Sequence, residues 1–195
     1  MTHQAGTALL ACAACAGLAG PARATPTETT LYGAQCTPNA SVLLASLIQP
    51  TPGSLIGTSF AGGLLNIGSV FRLMRNRIVS RLWPESVLYS FGSHTDPPPA
   101  SDPASPMAGL LPGGVFYGTG YYSNDPGCGG NGCGAIYQLT PSPHSAAPWQ
   151  EQVLYDFLGM PDGQNPVGNL VADASGALYG VTTNGGATGA GAVFA

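Results

Sequence analysis

Val153-Leu154-Tyr155-Asp156-Phe157, Leu170-Val171, Leu178-Tyr179-Gly180-Val181-Thr182 and Gly191-Ala192-Val193-Phe194 are four short apolar runs in order along the chain. Each is bounded by Gly, Pro, Asn or Asp. Each is too short for a helix and carries strand-forming aromatic and β-branched residues. Between the second and third runs, Asp173-Ala174-Ser175-Gly176 reads as a hairpin turn whose glycine can take a positive φ. We label the runs d, a, b and c. Together they read as four antiparallel strands.

The same order recurs upstream. Run a reappears at Leu110-Leu111 and Leu47-Ile48, and run b at Gly114 to Thr119 and Gly53 to Thr58. Run c reappears at Gly134 to Leu139 and Gly68 to Leu73, and run d at Val87-Leu88-Tyr89-Ser90-Phe91. Gly57 and Gly118 are 61 residues apart, Gly118 and Gly180 are 62 apart, and the two d runs are 66 apart. A shorter d-like run, Thr30-Leu31-Tyr32-Gly33, lies 57 residues before Leu88-Tyr89. Self-similarity at this period marks a repeat architecture. Four antiparallel strands per repeat is the arrangement of β-propeller blades. The expectation is an all-β, β-propeller-like array of about three four-stranded blades, with repeats over residues 34–91, 92–157 and 158–195.

Three blades are fewer than the roughly four to eight that close a ring. Two expectations follow: the chain is part of a longer array and its ring is incomplete, or two copies combine into a six-bladed homodimer. The N-terminal d-like run is a candidate to complete the last blade. The long b–c and d–a links emerge on one side of such blades, which makes that side the expected interaction face.

Composition agrees. There are 29 Gly and 18 Pro in 195 residues, charged residues make up 7%, and there is no Lys. This excludes helical bundles and highly charged disordered chains. A net charge of -4 gives no general attraction to nucleic acid. Arg72, Arg75, Arg77 and Arg81 form a cluster that reads as a solvated strand and loop.

Residues 1–24 read as an export signal: a small, apolar stretch from Ala5 to Gly20 is followed by the small-x-small site Ala22-Arg23-Ala24. The remaining 25–195 form the repeat domain, with no further apolar span. The expected location is secreted, extracellular or periplasmic. In an oxidising compartment, Cys128-Gly-Gly-Asn-Gly-Cys133 is a candidate local disulfide, leaving Cys36 odd. Zinc would need more ligands than His144 supplies, so no metal and no cofactor are expected.

The repeat resembles the GloVer tandem repeat of exported bacterial proteins. The resemblance runs over about residues 29–194 and rests on Asp162-Gly163, Pro166, Asn169-Leu170, Leu178-Tyr179-Gly180 and Gly191-Ala192-Val193-Phe194. It implies export and repeat architecture rather than a reaction. Copy one departs from it, with Ile56 in the Tyr position.

No nucleophile elbow, zinc-protease, P-loop or EF-hand spacing occurs. Link carboxylates Asp96, Asp102, Asp125 and Asp162 make a polysaccharide hydrolase or lyase the alternative reading, although Asp162-Gly163 is first of all a turn. Tyr89, Tyr117, Tyr137, Tyr155 and Tyr179 recur by repeat, which points to packing between blades. Tyr121 and Tyr122 do not recur. With Asp125 and Asp162 they are the expected contact residues for an unidentified ligand, a glycan or another surface protein. The expected function is a secreted or cell-surface binding or scaffold module without a catalytic site. A fragment without independent function is a further expectation.

Overall fold

A computed structural model describes residues 28–35, 38–79, 82–92, 102–123, 126–143 and 149–195. The fold set out below is that of the unit Leu31–Ala195. The first repeat contributes β1 (Ala40–Ser41), β2 (Ile48–Thr51), β3 (Ser54–Ser59), β4 (Ala61–Gly62), β5 (Ser69–Met74) and β6 (Glu85–Ser90). The second contributes β7 (Pro103–Ala104), β8 (Leu111–Pro112), β9 (Phe116–Gly120), β10 (Tyr122–Ser123), the turn α1 (Gly127–Gly130), β11 (Ala135–Thr140) and β12 (Gln150–Asp156). The third contributes β13 (Gly163–Ala172), β14 (Leu178–Gly185) and β15 (Val193–Phe194).

The strands pair as the repeat pattern requires. Sheet one is β2-β3-β5-β6, sheet two is β8-β9-β11-β12 and sheet three is β13-β14-β15, all antiparallel. Runs a, b, c and d are thus neighbours in sequence order in sheets one and two. Short ribbons β1-β4 and β7-β10 flank them. In sheet three the ribbon merges with strand a, because β13 continues through an irregularity between Val167 and Val171. The predicted hairpin forms: Asp173 N donates to Ala177 O at 3.0 Å, and Gly176 has φ 89°.

The expectation that Thr30–Gly33 completes the last blade is corrected. Leu31-Tyr32-Gly33 is in no strand, and Tyr32 packs on the Phe71–Leu73 cluster of sheet one. The reason is a tertiary hydrogen bond: the Tyr32 hydroxyl donates to Glu85 of β6. Strand c of sheet three therefore has no outer neighbour among the described residues.

The sheets meet face to face. Ile56, Val70, Tyr89 and Phe91 of the first repeat share a core with Phe116, Tyr137 and Leu139 of the second. Ile136 and Phe157 of the second share another with Leu170, Leu178 and Phe194 of the third. Strand alternation explains this. In each sheet the odd residues of strand b point one way and the even ones the other, so the same repeat position always faces the same neighbour.

One consequence is the role of the recurring glycine. Gly57, Gly118 and Gly180 lie directly opposite Phe71, Tyr137 and Phe194 on strand c. A Cβ on Gly118 would fall 2.5 Å from Tyr137 Cζ, and one on Gly57 would fall 2.9 Å from Phe71 Cζ. The aromatic ring lies over the glycine and fills the space a side chain would take.

Candidate functional site

The junction between sheets is the most elaborately built part of the chain. Tyr89 and Phe91 on strand d of sheet one stand edge to face at 5.1 Å, and Phe91 meets Tyr137 of sheet two at 5.1 Å. One repeat later Tyr155 and Phe157 stand at 5.2 Å, and Phe157 meets Phe194 at 5.0 Å. Such contacts contribute roughly 0.5–1.5 kcal/mol each beyond their area. The Tyr-x-Phe pairs of strand d in sheets one and two are thus wedged against strand c of the next sheet.

An acid completes the junction. The Tyr89 hydroxyl donates to Glu151 Oε2 at 3.2 Å, as Tyr32 donates to Glu85. Glu85 and Glu151 are 66 residues apart, the d-run spacing. Tyr155, next in the series, donates instead to Asp162 Oδ2 at 2.9 Å. Burial pushes the Glu151 carboxyl up to about 7, reinforced by Asp102 and Asp156 and opposed by the Tyr89 hydrogen bond. Burial also pushes the Tyr89 and Tyr137 phenols up, so both remain protonated at neutral pH. Asp102, expected on an exposed link, is corrected: it is 1% exposed and belongs to this buried acid and phenol group. Sequence reading passed over Glu85 and Glu151, although their shared spacing was available. Trp83 and Trp149 were passed over too. They have the same 66-residue spacing, and Trp149 stacks on Phe116 at 4.9 Å.

A backbone latch accompanies each junction. Ser105 N donates to Ile67 O at 2.6 Å, and Asn165 N donates to Cys133 O at 2.7 Å. Both donors have left-handed backbones, with φ 52° and 58°. Each precedes a proline that packs on the glycine of the previous strand c: a Cβ on Gly68 would fall 2.7 Å from Pro106 Cδ, and one on Gly134 2.5 Å from Pro166 Cδ.

The expected contact residues are distributed as follows. Tyr121 and Tyr122 adjoin, with rings at 4.8 Å and perpendicular. Both are half-buried, and the Tyr121 carbonyl accepts from Asn165 Nδ2 at 2.9 Å. Cys128 and Cys133 form a disulfide with Cα atoms 5.2 Å apart, and Cys133 is buried at the junction of sheets two and three. Gly159 closes against it, because a Cβ there would fall 3.0 Å from Cys128 Sγ. Asp162 serves its own turn: besides Tyr155, it accepts from Leu158 N at 3.0 Å. Asp125, Cys36, His94, Asp96, Arg81 and His144 lie outside the described residues. Arg75 and Arg77 are exposed on the β5–β6 loop, and Arg72 is half-buried on β5. Among the described residues no group of three or more His, Cys, Asp or Glu is placed to hold a metal ion, and no helix is long and apolar enough to cross a membrane.

Most of the recurring residues join one sheet to the next, which is the mark of a tandem-repeat protein. The Tyr155 and Tyr179 hydroxyls instead donate to Asp162 of the following turn and to Asp173 of the β13–β14 hairpin, rather than packing between sheets. No curated protein and no solved structure matches the chain. The pattern of the Gloeobacter/Verrucomicrobia repeat matches residues 22–195, and the chain belongs to that family.

Proposed function

We propose that the protein is an exported binding or scaffold module whose stacked sheets are consecutive blades of a β-propeller-like array. The observation that carries this reading is the division of labour among its residues. Recurring side chains are consumed in the framework: the Tyr-x-Phe wedges and Tyr89 with Glu151 hold one sheet to the next, and the glycine–aromatic pairs pack strand b on strand c within a sheet. The non-recurring Tyr121–Tyr122 pair and the disulfide-closed loop stand on the link between β9 and β11, where a rigid frame presents variable contacts. The ligand proposed is a glycan or another surface protein, with the aromatic pair as the apolar platform. The working location is outside the cytoplasm, where the Cys128–Cys133 bond persists.

The test is a glycan array probed with the purified full chain, alongside its Tyr121→Ala/Tyr122→Ala variant. Binding that disappears in the variant, while its thermal unfolding is unchanged, supports the reading. Turnover of a bound polysaccharide that Asp125→Asn or Asp162→Asn abolishes overturns it in favour of a hydrolase or lyase. Recovery of the leader-bearing chain solely in the cytoplasm of an expressing bacterium removes the exported location.

A further inference from the structure

The two ends of the stack are complementary. The face of sheet one that meets sheet two includes Ile56 and Val70, at 4% and 0% exposure. The same face of sheet two, toward sheet three, includes Ile136 at 7%. In sheet three Val193 holds the repeat position of Val70 and Ile136, and its partner across β14 and β15, Val181, holds that of Thr58, which is 1% exposed; Val181 and Val193 are 44% and 82% exposed. At the other end, strand a carries Leu47, Leu110 and Leu170 at one repeat position. Leu110 and Leu170 are 3% exposed, each against the preceding sheet, whereas Leu47 is 46% exposed.

Three further features match these open faces to each other. Among the described residues sheet three has strands a, b and c without d, while Leu31-Tyr32-Gly33 is a d-like run that belongs to no sheet. That run already sits on sheet one as a preceding strand d would, since Tyr32 donates to Glu85 as Tyr89 donates to Glu151. A groove of about 450 Å³ opens beside it, lined by Leu31, Tyr32, Trp83 and Glu85 among others. The latch is also complementary. Val42 holds the repeat position of Ser105 and Asn165, with φ 56°, a conformation costly for a β-branched residue. Ala190 holds the position of the acceptors Ile67 and Cys133, one residue before the strand c glycine.

We propose that the partner of this surface is a second copy of the chain, joined head to tail. The Val181–Val193 face of one copy covers the Leu47 face of the other. Leu31–Gly33 of the second copy lies along β15 of the first, and Val42 N donates to Ala190 O across the interface. The contact is heterologous, and two such contacts close a ring of six sheets, within the range of propeller rings. The inference rests on reading the three sheets as consecutive blades.

The experiment is sedimentation of the full chain at several concentrations, with Val193→Glu and Leu47→Glu variants. Both sites are exposed, so circular dichroism checks that the variants keep the fold. The expected result is a species of twice the protomer mass. Each variant alone is expected to raise its dissociation constant at least about 100-fold, because a carboxylate would be buried without a partner. Cysteines placed at Thr29 and Ala195 in one chain, the positions of Ser86 and Arg72 that pair in sheet one, should cross-link two chains on oxidation. A Leu47→Glu chain that stays dimeric overturns the head-to-tail contact in favour of a two-fold contact through sheet three. Species growing beyond two protomers overturn the closed ring. A folded monomer overturns the dimer. If that monomer still loses stability on Tyr89→Phe, the stacked blades stand without it; if it does not, the blade reading falls as well.

Discussion

Gly118→Ala tests the packing of strand b against strand c. The added Cβ lies 2.5 Å from Tyr137 Cζ and 2.7 Å from Cε2. Real Cβ contacts do not come so close, so the ring must move. Tyr137 is 0% exposed, and its ring is held at 5.1 Å by Phe91. Relief therefore means either displacing that ring or separating β9 from β11. Overpacking a filled core costs about 1–3 kcal/mol, and a confined aromatic ring places this case near 3 kcal/mol. For a chain of this length that lowers Tm by roughly 6–12 °C. Urea unfolding followed by tryptophan fluorescence gives the free energy. Gly114→Ala is the control: its φ is 87° and nothing lies within 4 Å of the added atom, so only backbone strain of about 1 kcal/mol applies. Gly118→Ala combined with Tyr137→Leu should be less destabilised than the sum of the single variants by at least about 1 kcal/mol, because the shorter side chain leaves room. A Gly118→Ala chain within about 0.5 kcal/mol of the parent refutes the argument.

Tyr89→Phe should destabilise the chain by about 1–2 kcal/mol near neutral pH, since Glu151 Oε2 loses its phenol donor; equal urea midpoints for the two chains would contradict this. Glu151 has its carboxyl raised from 4.5 to about 7, so the folded state holds the proton more tightly than the unfolded state across that range. Its contribution to stability is complete below pH 4.5 and declines as pH rises through about 7. Part of the group remains open to water, which limits the loss to about 1 kcal/mol. Glu151→Gln should flatten this part of a stability–pH profile. Cys128→Ser with Cys133→Ser releases a loop of sequence separation 5, and chain entropy sets the cost at about 2 kcal/mol, readable as a fall in the urea midpoint.

Much of this protein was legible before any coordinates. The strands follow from short runs of Val, Ile, Leu and aromatic residues broken by Gly and Pro, because pleated backbone favours the former and turns require the latter. The four-strand order came from the succession of apolar runs, and the repeat period from the spacing of Gly57, Gly118 and Gly180. The Cys128–Cys133 bond was readable because its loop is so short that few conformations separate the thiols. Asp102 was misplaced because a polar residue in a Pro-rich link looks solvated. It is buried near Tyr89 of sheet one and Glu151 of sheet two, and Glu151 is 49 positions further along the chain.

The sequence by itself determined that this is an all-β repeat protein, which positions form strands and which glycines recur. Periodicity and local backbone preference are properties of neighbours along the chain, so they survive without a fold. The tertiary structure alone decided which face of each strand meets which sheet, why the recurring glycine sits under a ring, and that Tyr89 spends its hydroxyl on Glu151. It also decided that Tyr32 lies on sheet one rather than beside β15. Those outcomes depend on distances between residues 14 to 62 positions apart, set by how strands pair and how one sheet packs against another.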